Sequence, residues 1–181
     1  MSRWIKVVML SVLVMGGLSL RAWADEKHDM SNMPEKKMSA EFTKLKSLVG
    51  TWTGKSKMHG DKMENIKVVY SLTGGGSAVL ERICPGTPGE MASVYHVEDG
   101  KLCMTHYCSL GNAPKMTFKG STDNSLSFEM KGKDGIASEK ETHMHGLTIT
   151  WKDKNHIAAS WLLYQDGKAA PCSTFNLTRK M

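Results

Sequence analysis

The chain has 181 residues, of which 40% are hydrophobic and 23% are charged. This size and balance favour one globular domain and exclude a collagen-like or wholly disordered chain. The formal charge of +6 falls to +3 when Arg3, Lys6 and Arg21 are removed with the signal peptide predicted below. A charge this small, spread along the chain, does not favour nucleic acid as a partner.

Residues 1–24 have the pattern of a secretory signal peptide. Arg3 and Lys6 come before an apolar run over residues 7–20, and Ala22, Trp23 and Ala24 form an A-x-A cleavage site. An apolar run of 14 residues is too short to cross a bilayer comfortably. We therefore expect a periplasmic or secreted protein that begins at Asp25 and has no integral membrane segment.

A polar leader and a short helix come next. Residues 25–38 contain His28 and several methionines but no apolar periodicity, so we expect a flexible leader. Ser39 can cap a helix in which Phe42, Leu45 and Leu48 recur at three-residue steps, and Gly50 is a stop signal. We assign residues 39–181 to a single domain.

From Thr51 onward the hydrophobic period changes to two, and clusters of Gly, Asn and Asp recur roughly every eight to twelve residues. This pattern predicts an antiparallel meander of ten strands. The strands lie near Thr51–Met58, Asn65–Leu72, Ser77–Cys84, Met91–Val97, Lys101–Leu110, Pro114–Lys119, Ser125–Lys131, Lys140–Lys152, His156–Gln165 and Ala169–Arg179. Because closure protects the edges of a long meander, we predict an all-β fold, an antiparallel up-and-down barrel of about 8–10 strands with a short N-terminal helix.

Several motifs carry a family resemblance. Gly50-Thr51-Trp52 after a short helix resembles the Gly-x-Trp signature of lipocalin-like (calycin) barrels, and Arg179 stands where such barrels place an arginine over the tryptophan. The motifs Gly74-Gly75-Gly76 with Glu81, Tyr95-His96, Thr105-His106-Tyr107-Cys108 and Gly111-Asn112-Ala113-Pro114 resemble exported bacterial proteins with DUF1579-type domains. The resemblance covers Phe42 to Arg179. It implies a calycin-type barrel with Trp52 at its floor, but no established activity.

Alternation along the strands predicts which side chains face the interior of the barrel. His143 and His145 share the parity of Leu147, Ile149 and Trp151. His106 and Cys108 share the parity of Leu102 and Met104, and the intervening turn brings Tyr95 to the same face. An apolar cavity with a few polar groups is typical of a small-molecule site. We therefore predict a small, partly apolar ligand in the lumen, bound through Tyr95, His106, His143 and His145.

Two other functions remain open. The second is a periplasmic copper- or haem-binding protein, because His28, Met58-His59 and His143-Met144-His145 offer soft thioether and imidazole ligands. The third is an enzyme acting in the cavity. His106 and Cys108 lie about 7 Å apart along one strand face, which is too far for a nucleophile and its base. The sequence assigns no catalytic residue, cofactor or oligomeric state.

All four cysteines follow the signal peptide, which predicts disulfides in an oxidising compartment, and four cysteines allow three complete pairings. Cys84 and Cys108 lie at strand ends on the same rim of the predicted meander. The loop over residues 85–89 could fold one toward the other. We predict a Cys84–Cys108 bridge, which leaves Cys103 and Cys172 outside it.

Overall fold

The computed structural model describes residues 39–57, 62–170, 172 and 174–181. The predicted signal peptide and the predicted leader, residues 1–38, lie outside the described residues. Within the described part, no helix is long and apolar enough to cross a bilayer.

A short helix opens the described chain. It is α1, Ala40–Lys46, and the side chain of Ser39 accepts a hydrogen bond from the backbone N–H of Phe42 at 3.2 Å. Phe42 and Leu45 are fully buried on its inner face. The helix therefore begins at the predicted cap and buries the predicted apolar residues.

Eleven strands follow, joined mostly by tight turns in which Gly or Asp adopts positive φ. They are β1 (Gly50–Ser56), β2 (Glu64–Thr73), β3 (Ala78–Ile83), β4 (Met91–Glu98), β5 (Lys101–Tyr107), β6 (Lys115–Thr122), β7 (Ser125–Met130), β8 (His143–Asp153), β9 (His156–Gln165), β10 (Lys168–Ala170) and β11 (Thr174–Arg179).

Ten of the strands form a closed antiparallel barrel. Their order is β9-β11-β1-β2-β3-β4-β5-β6-β7-β8, and β8 pairs with β9 to complete the ring. The short strand β10 extends the β9 hairpin outside the ring. Closure pairs the two strands that would otherwise be edges, so the predicted all-β barrel is confirmed.

The two ends of the barrel differ. At the helix end, Lys44 of α1 donates from Nζ to the carbonyls of Thr122 and Asp123 at 2.9 and 2.7 Å. Because consecutive strands run in opposite directions, every second connection lies at the other end of the barrel, which we call the loop end. It carries the longer connections, residues 84–90, 108–114 and 131–142. The second and third of these connections are hydrogen-bonded to each other, since Ala113 N–H donates to the carbonyl of Gly135 at 3.0 Å.

The helix end is sealed by Trp52, which is fully buried. Its Nε1 donates to the carbonyl of Leu48 at 2.7 Å, and the guanidinium of Arg179 lies 4.2 Å from the ring centroid. Arg179 also donates to the carbonyls of Val49 and Ser47 at 2.7 and 2.6 Å. The arginine-over-tryptophan contact expected from the resemblance is therefore present.

Candidate ligand-binding site

A row of polar side chains crosses the inner wall of the barrel. Tyr70 on β2 pairs with Glu81 on β3, Glu81 pairs with Ser93 on β4, and Ser93 pairs with His106 on β5. Because cross-strand partners point to the same face, the four side chains lie side by side. All four are almost completely buried. We call these residues the polar row.

Glu81 is the centre of this row. Its carboxyl oxygens accept hydrogen bonds from the hydroxyls of Tyr70 at 2.6 Å and of Tyr95 at 2.8 Å. The hydroxyl of Ser93 is a third hydrogen-bond partner of this carboxyl. Burial raises the pKa of Glu81, while the three hydroxyls act in the opposite direction. Three neighbouring donors satisfy a carboxyl group that burial alone would make very costly.

His106 forms the far end of the row. Its Nδ1 lies 3.0 Å from Oγ of Ser93. Burial lowers the pKa of His106 to about 4, so the ring is neutral at pH 7 and carries one N–H. When the Ser93 hydroxyl donates to Glu81, its oxygen accepts from Nδ1–H of His106. This tautomer leaves a lone pair on Nε2.

Two nitrogens on neighbouring rings have no hydrogen-bond partner within the described part of the chain. They are Nε2 of His106 and Nε1 of Trp161, and both are buried. The two rings are 4.4 Å apart between centroids, at an interplanar angle of 44°. In the tautomer with its proton on Nδ1, Nε2 of His106 is an acceptor, whereas Nε1 of Trp161 is a donor. An unsatisfied acceptor and an unsatisfied donor on two packed, buried rings can be satisfied by polar groups of a ligand.

This place lies in the part of the core closest to the loop end. Trp161 and Met91 are the least completely buried of the core residues, at 7% and 6% exposure. Sδ of Met91 lies 3.9 Å from Sγ of Cys108, whose chain continues into the loop after β5. Thioether side chains repack easily, so this upper layer can adapt its shape to an apolar group.

The structure places Tyr95 and His106 inside the barrel, as predicted, but it contradicts the predicted position of His143 and His145. Met144 pairs with Leu163 and Gly146 pairs with Leu162, so β8 has a bulge with one extra residue at His145. The bulge reverses the alternation of the strand. Met144 therefore packs against the core, whereas parity predicted that it faces outward.

His143 and His145 lie on the outer side of the wall with Tyr164. The rings of His145 and Tyr164 stack at 3.7 Å, and Nε2 of His143 lies 3.1 Å from Nδ1 of His145. Charges on the outer-face residues Glu129 and Lys119 act on His145. Although His143 is itself only 2% exposed, the two histidines are separated by the barrel wall from the polar row.

The predicted Cys84–Cys108 disulfide is wrong. Among the described residues, no two cysteines lie at disulfide distance. The backbone N–H of Cys84 donates to the carbonyl of Lys67 at 2.8 Å, which holds Cys84 against β2 at a pocket shared with Ser56. Cys108 lines a separate groove of about 660 Å³ between the loops after β5 and β7. This strand-end hydrogen bond prevents the fold of Cys84 over the rim that the prediction required.

Sequence reasoning missed Glu81, Tyr70 and Trp161 as members of the site. Tyr70 had a usable signal, because it shares the parity of Ile66 and Val68. Glu81 belongs to a motif of the family resemblance, but its parity is ambiguous because β3 has apolar residues on both faces. Trp161 lies on β9, where the small residues Ala158, Ala159 and Ser160 weaken the alternation.

The chain matches no known protein-family profile, and no curated protein matches it in sequence. Among solved structures it is similar to the crystal structure of Rv2717c from M. tuberculosis. The two chains are 14% identical, with a TM-score of 0.53, and the match covers 80% of this chain and 99% of the other. This likeness extends to the fold alone and supports the class of antiparallel β-barrels.

Proposed function

We propose that this protein is an exported, lipocalin-like binding protein that holds a small, partly apolar ligand at the loop end of the barrel lumen. A single observation carries the proposal: His106 and Trp161 are packed ring against ring, and Nε2 of the first and Nε1 of the second are buried and unpartnered within the described chain. A ligand hydroxyl could donate to the first nitrogen and accept from the second. The apolar part of the core closest to the loop end, which includes Met91, would take the apolar remainder.

The polar row supplies the specificity of this site. Burial keeps His106 neutral, and with the ring proton on Nδ1 a group that only accepts hydrogen bonds would gain nothing at Nε2. The same tautomer argues against a nucleophilic role for Ser93, since His106 then donates to that hydroxyl instead of removing its proton. Binding is therefore the function that the interior supports best.

The first test is native mass spectrometry, with metal analysis, of the protein purified from its own compartment. We expect a bound organic mass that denaturation releases. Stoichiometric iron or copper, lost on His106→Gln, would instead support the alternative of a haem or copper on Nε2, the soft-ligand chemistry that the sequence also allows.

A matched pair of variants locates the ligand. Trp161→Phe removes the Nε1 donor and keeps an aromatic ring, so we expect loss of the bound mass with little loss of stability. Trp151→Phe makes the same change at another unpartnered Nε1, but at the helix end, where Lys44 Nζ lies 5.1 Å from the ring. Equal effects of the two substitutions on the bound mass would contradict the proposed site.

A further inference from the structure

A second cluster of polar side chains lies on the outer face of the β4–β5 hairpin. It consists of His96, Glu98 and Cys103, and we call it the hairpin triad. Cys103 and His96 are direct cross-strand partners, and Glu98 follows His96 by two residues on the same face. The potential ligand atoms of the three side chains all lie within 4.8 Å of one another.

The distances within the hairpin triad match the edges of a metal tetrahedron. Sγ of Cys103 lies 3.4 Å from Nε2 of His96 and 4.0 Å from a carboxylate oxygen of Glu98. Zinc bonds of normal length at tetrahedral angles place sulfur, nitrogen and oxygen ligands about 3.4–3.6 Å apart. The Sγ–Nε2 distance therefore already fits such an edge, and the carboxylate, within 4.8 Å of both other ligand atoms, has to move closer to complete the set.

The backbone around the triad is well defined. Asp99 and Gly100, with φ values of 47° and 74°, form the tight turn between the two strands. Glu98 pairs with Lys101 across this turn, so the carboxylate is held close to the strands that carry the other two groups. Ligands on paired strands are positioned more precisely than ligands on a long loop.

We propose that the hairpin triad binds one zinc ion through Sγ of Cys103, Nε2 of His96 and the carboxylate of Glu98, with water completing the coordination. Thiolate, imidazole and carboxylate are the ligand types that zinc accepts, and three protein ligands with one open position form a common zinc geometry. The Zn–S bond forms as the Cys103 thiol releases its proton to solvent. The oxidation state of every atom stays unchanged.

One feature favours this ligand set in the apo protein. Nδ1 of His96 is buried without a partner in the described chain, so the ring proton can reside there while Nε2 keeps its lone pair for the ion. Burial and the Glu98 carboxylate raise the pKa of the Cys103 thiol, so zinc has to displace the thiol proton as it binds. The triad lies on the opposite side of the wall from the polar row, so this proposal is independent of the proposed lumen ligand.

Cobalt substitution tests the site directly. Titration of the reduced, metal-stripped protein with Co²⁺ should produce a thiolate-to-metal charge-transfer absorption in the near ultraviolet, which Zn²⁺ then abolishes at one equivalent. Cys103→Ser should remove this absorption. Cys108→Ser, which removes a half-buried thiol at the end of the same hairpin, should retain it.

Competition titration with Zn²⁺ assigns the other two ligands. His96→Gln and Glu98→Gln should each raise the Kd by at least about tenfold. His156→Gln, at an exposed histidine paired with Asp153, should leave it unchanged. Zinc binding of unchanged strength in both Cys103→Ser and His96→Gln would place the ion elsewhere and overturn the proposal, as would the absence of a charge-transfer absorption in the unmodified protein.

Discussion

The guanidinium of Arg179 packs on the ring of Trp52, 4.2 Å from its centroid, and thereby joins the last strand of the barrel to the first. The two residues are also backbone partners in the β1–β11 pairing. The arginine reaches past the ring to carbonyls of the segment between α1 and β1. Arg179 thus connects the β1–β11 pairing to the segment between α1 and β1 at the helix end of the barrel.

Trp52→Ala should lower the free energy of unfolding by about 3–5 kcal/mol, because a large buried aromatic side chain leaves a cavity. Arg179→Ala should cost less, about 1–2 kcal/mol, since its hydrogen bonds are partly exposed to water. Urea denaturation of both variants measures the difference. An unchanged transition midpoint for Trp52→Ala would mean that the floor of the barrel is not where the structure has it.

Tyr70→Phe should lower the free energy of unfolding by about 1–3 kcal/mol, because it removes one of the hydroxyl donors from the buried carboxyl of Glu81. Tyr107→Phe is the matched control, since that tyrosine is 53% exposed and its hydroxyl is not part of the polar row. Thermal or chemical denaturation of the pair gives the comparison. If the two losses were the same, Glu81 would not depend on the Tyr70 hydroxyl.

The stability of the protein should fall as the pH is lowered from about 6.5 toward 4, in part because of His106. Burial lowers the pKa of this ring to about 4 in the folded protein, while the unfolded chain has a value near 6.5. The unfolded state therefore binds the proton more tightly in this window, and the full effect is about 3 kcal/mol. Above about pH 7 His106 is neutral in both states and contributes no slope.

Comparison with His106→Gln isolates this effect. The raised pKa of Glu81 acts in the opposite sense, because a group whose pKa is higher in the folded state favours folding as the pH falls. Glu81 is present both in the unsubstituted protein and in His106→Gln. Its contribution therefore cancels to first order when one pH profile of stability is subtracted from the other. A parallel pH profile for His106→Gln would contradict a neutral, buried His106.

Gly54→Ala should destabilise the β1–β11 seam. A Cβ atom at this position would overlap the backbone carbonyl of Asn176, and backbone cannot move aside as a flexible side chain can. We expect a loss of about 1–3 kcal/mol or more. Gly120→Ala serves as the control, since a Cβ there meets nothing within 4 Å. Similar midpoints for the two variants would contradict the close approach of β11 to β1.

The barrel could be predicted from the sequence because its strands have a period of two and its turns contain the residues that turns require. Asp99-Gly100 and Asp166-Gly167 both adopt the positive φ values expected of such dipeptides. Ser39 and Phe42 likewise fixed the start of the helix. Each of these signals is local, and local geometry is what a single sequence specifies best.

The site was less accessible to prediction because it depends on register. A single bulge residue, His145, reverses the parity on which the placement of His143 depended. Neither Met144 nor Gly146 marks a bulge unambiguously in the sequence. The position of Glu81 depends on pairings with Tyr70 and Ser93 that involve three separate strands. Only the folded sheet brings those residues together.

The position of β11 in the ring has a consequence for biosynthesis. This strand, Thr174–Arg179, lies between β9 and β1, so its two neighbours are the earliest strand of the barrel and one of the latest. While the chain emerges from the ribosome, β1 keeps an unpaired edge until β11 has been added. Non-local pairing of this kind folds slowly and leaves an exposed edge for other chains to join. A protein truncated before Thr174 should therefore aggregate rather than fold into a nine-stranded version of itself.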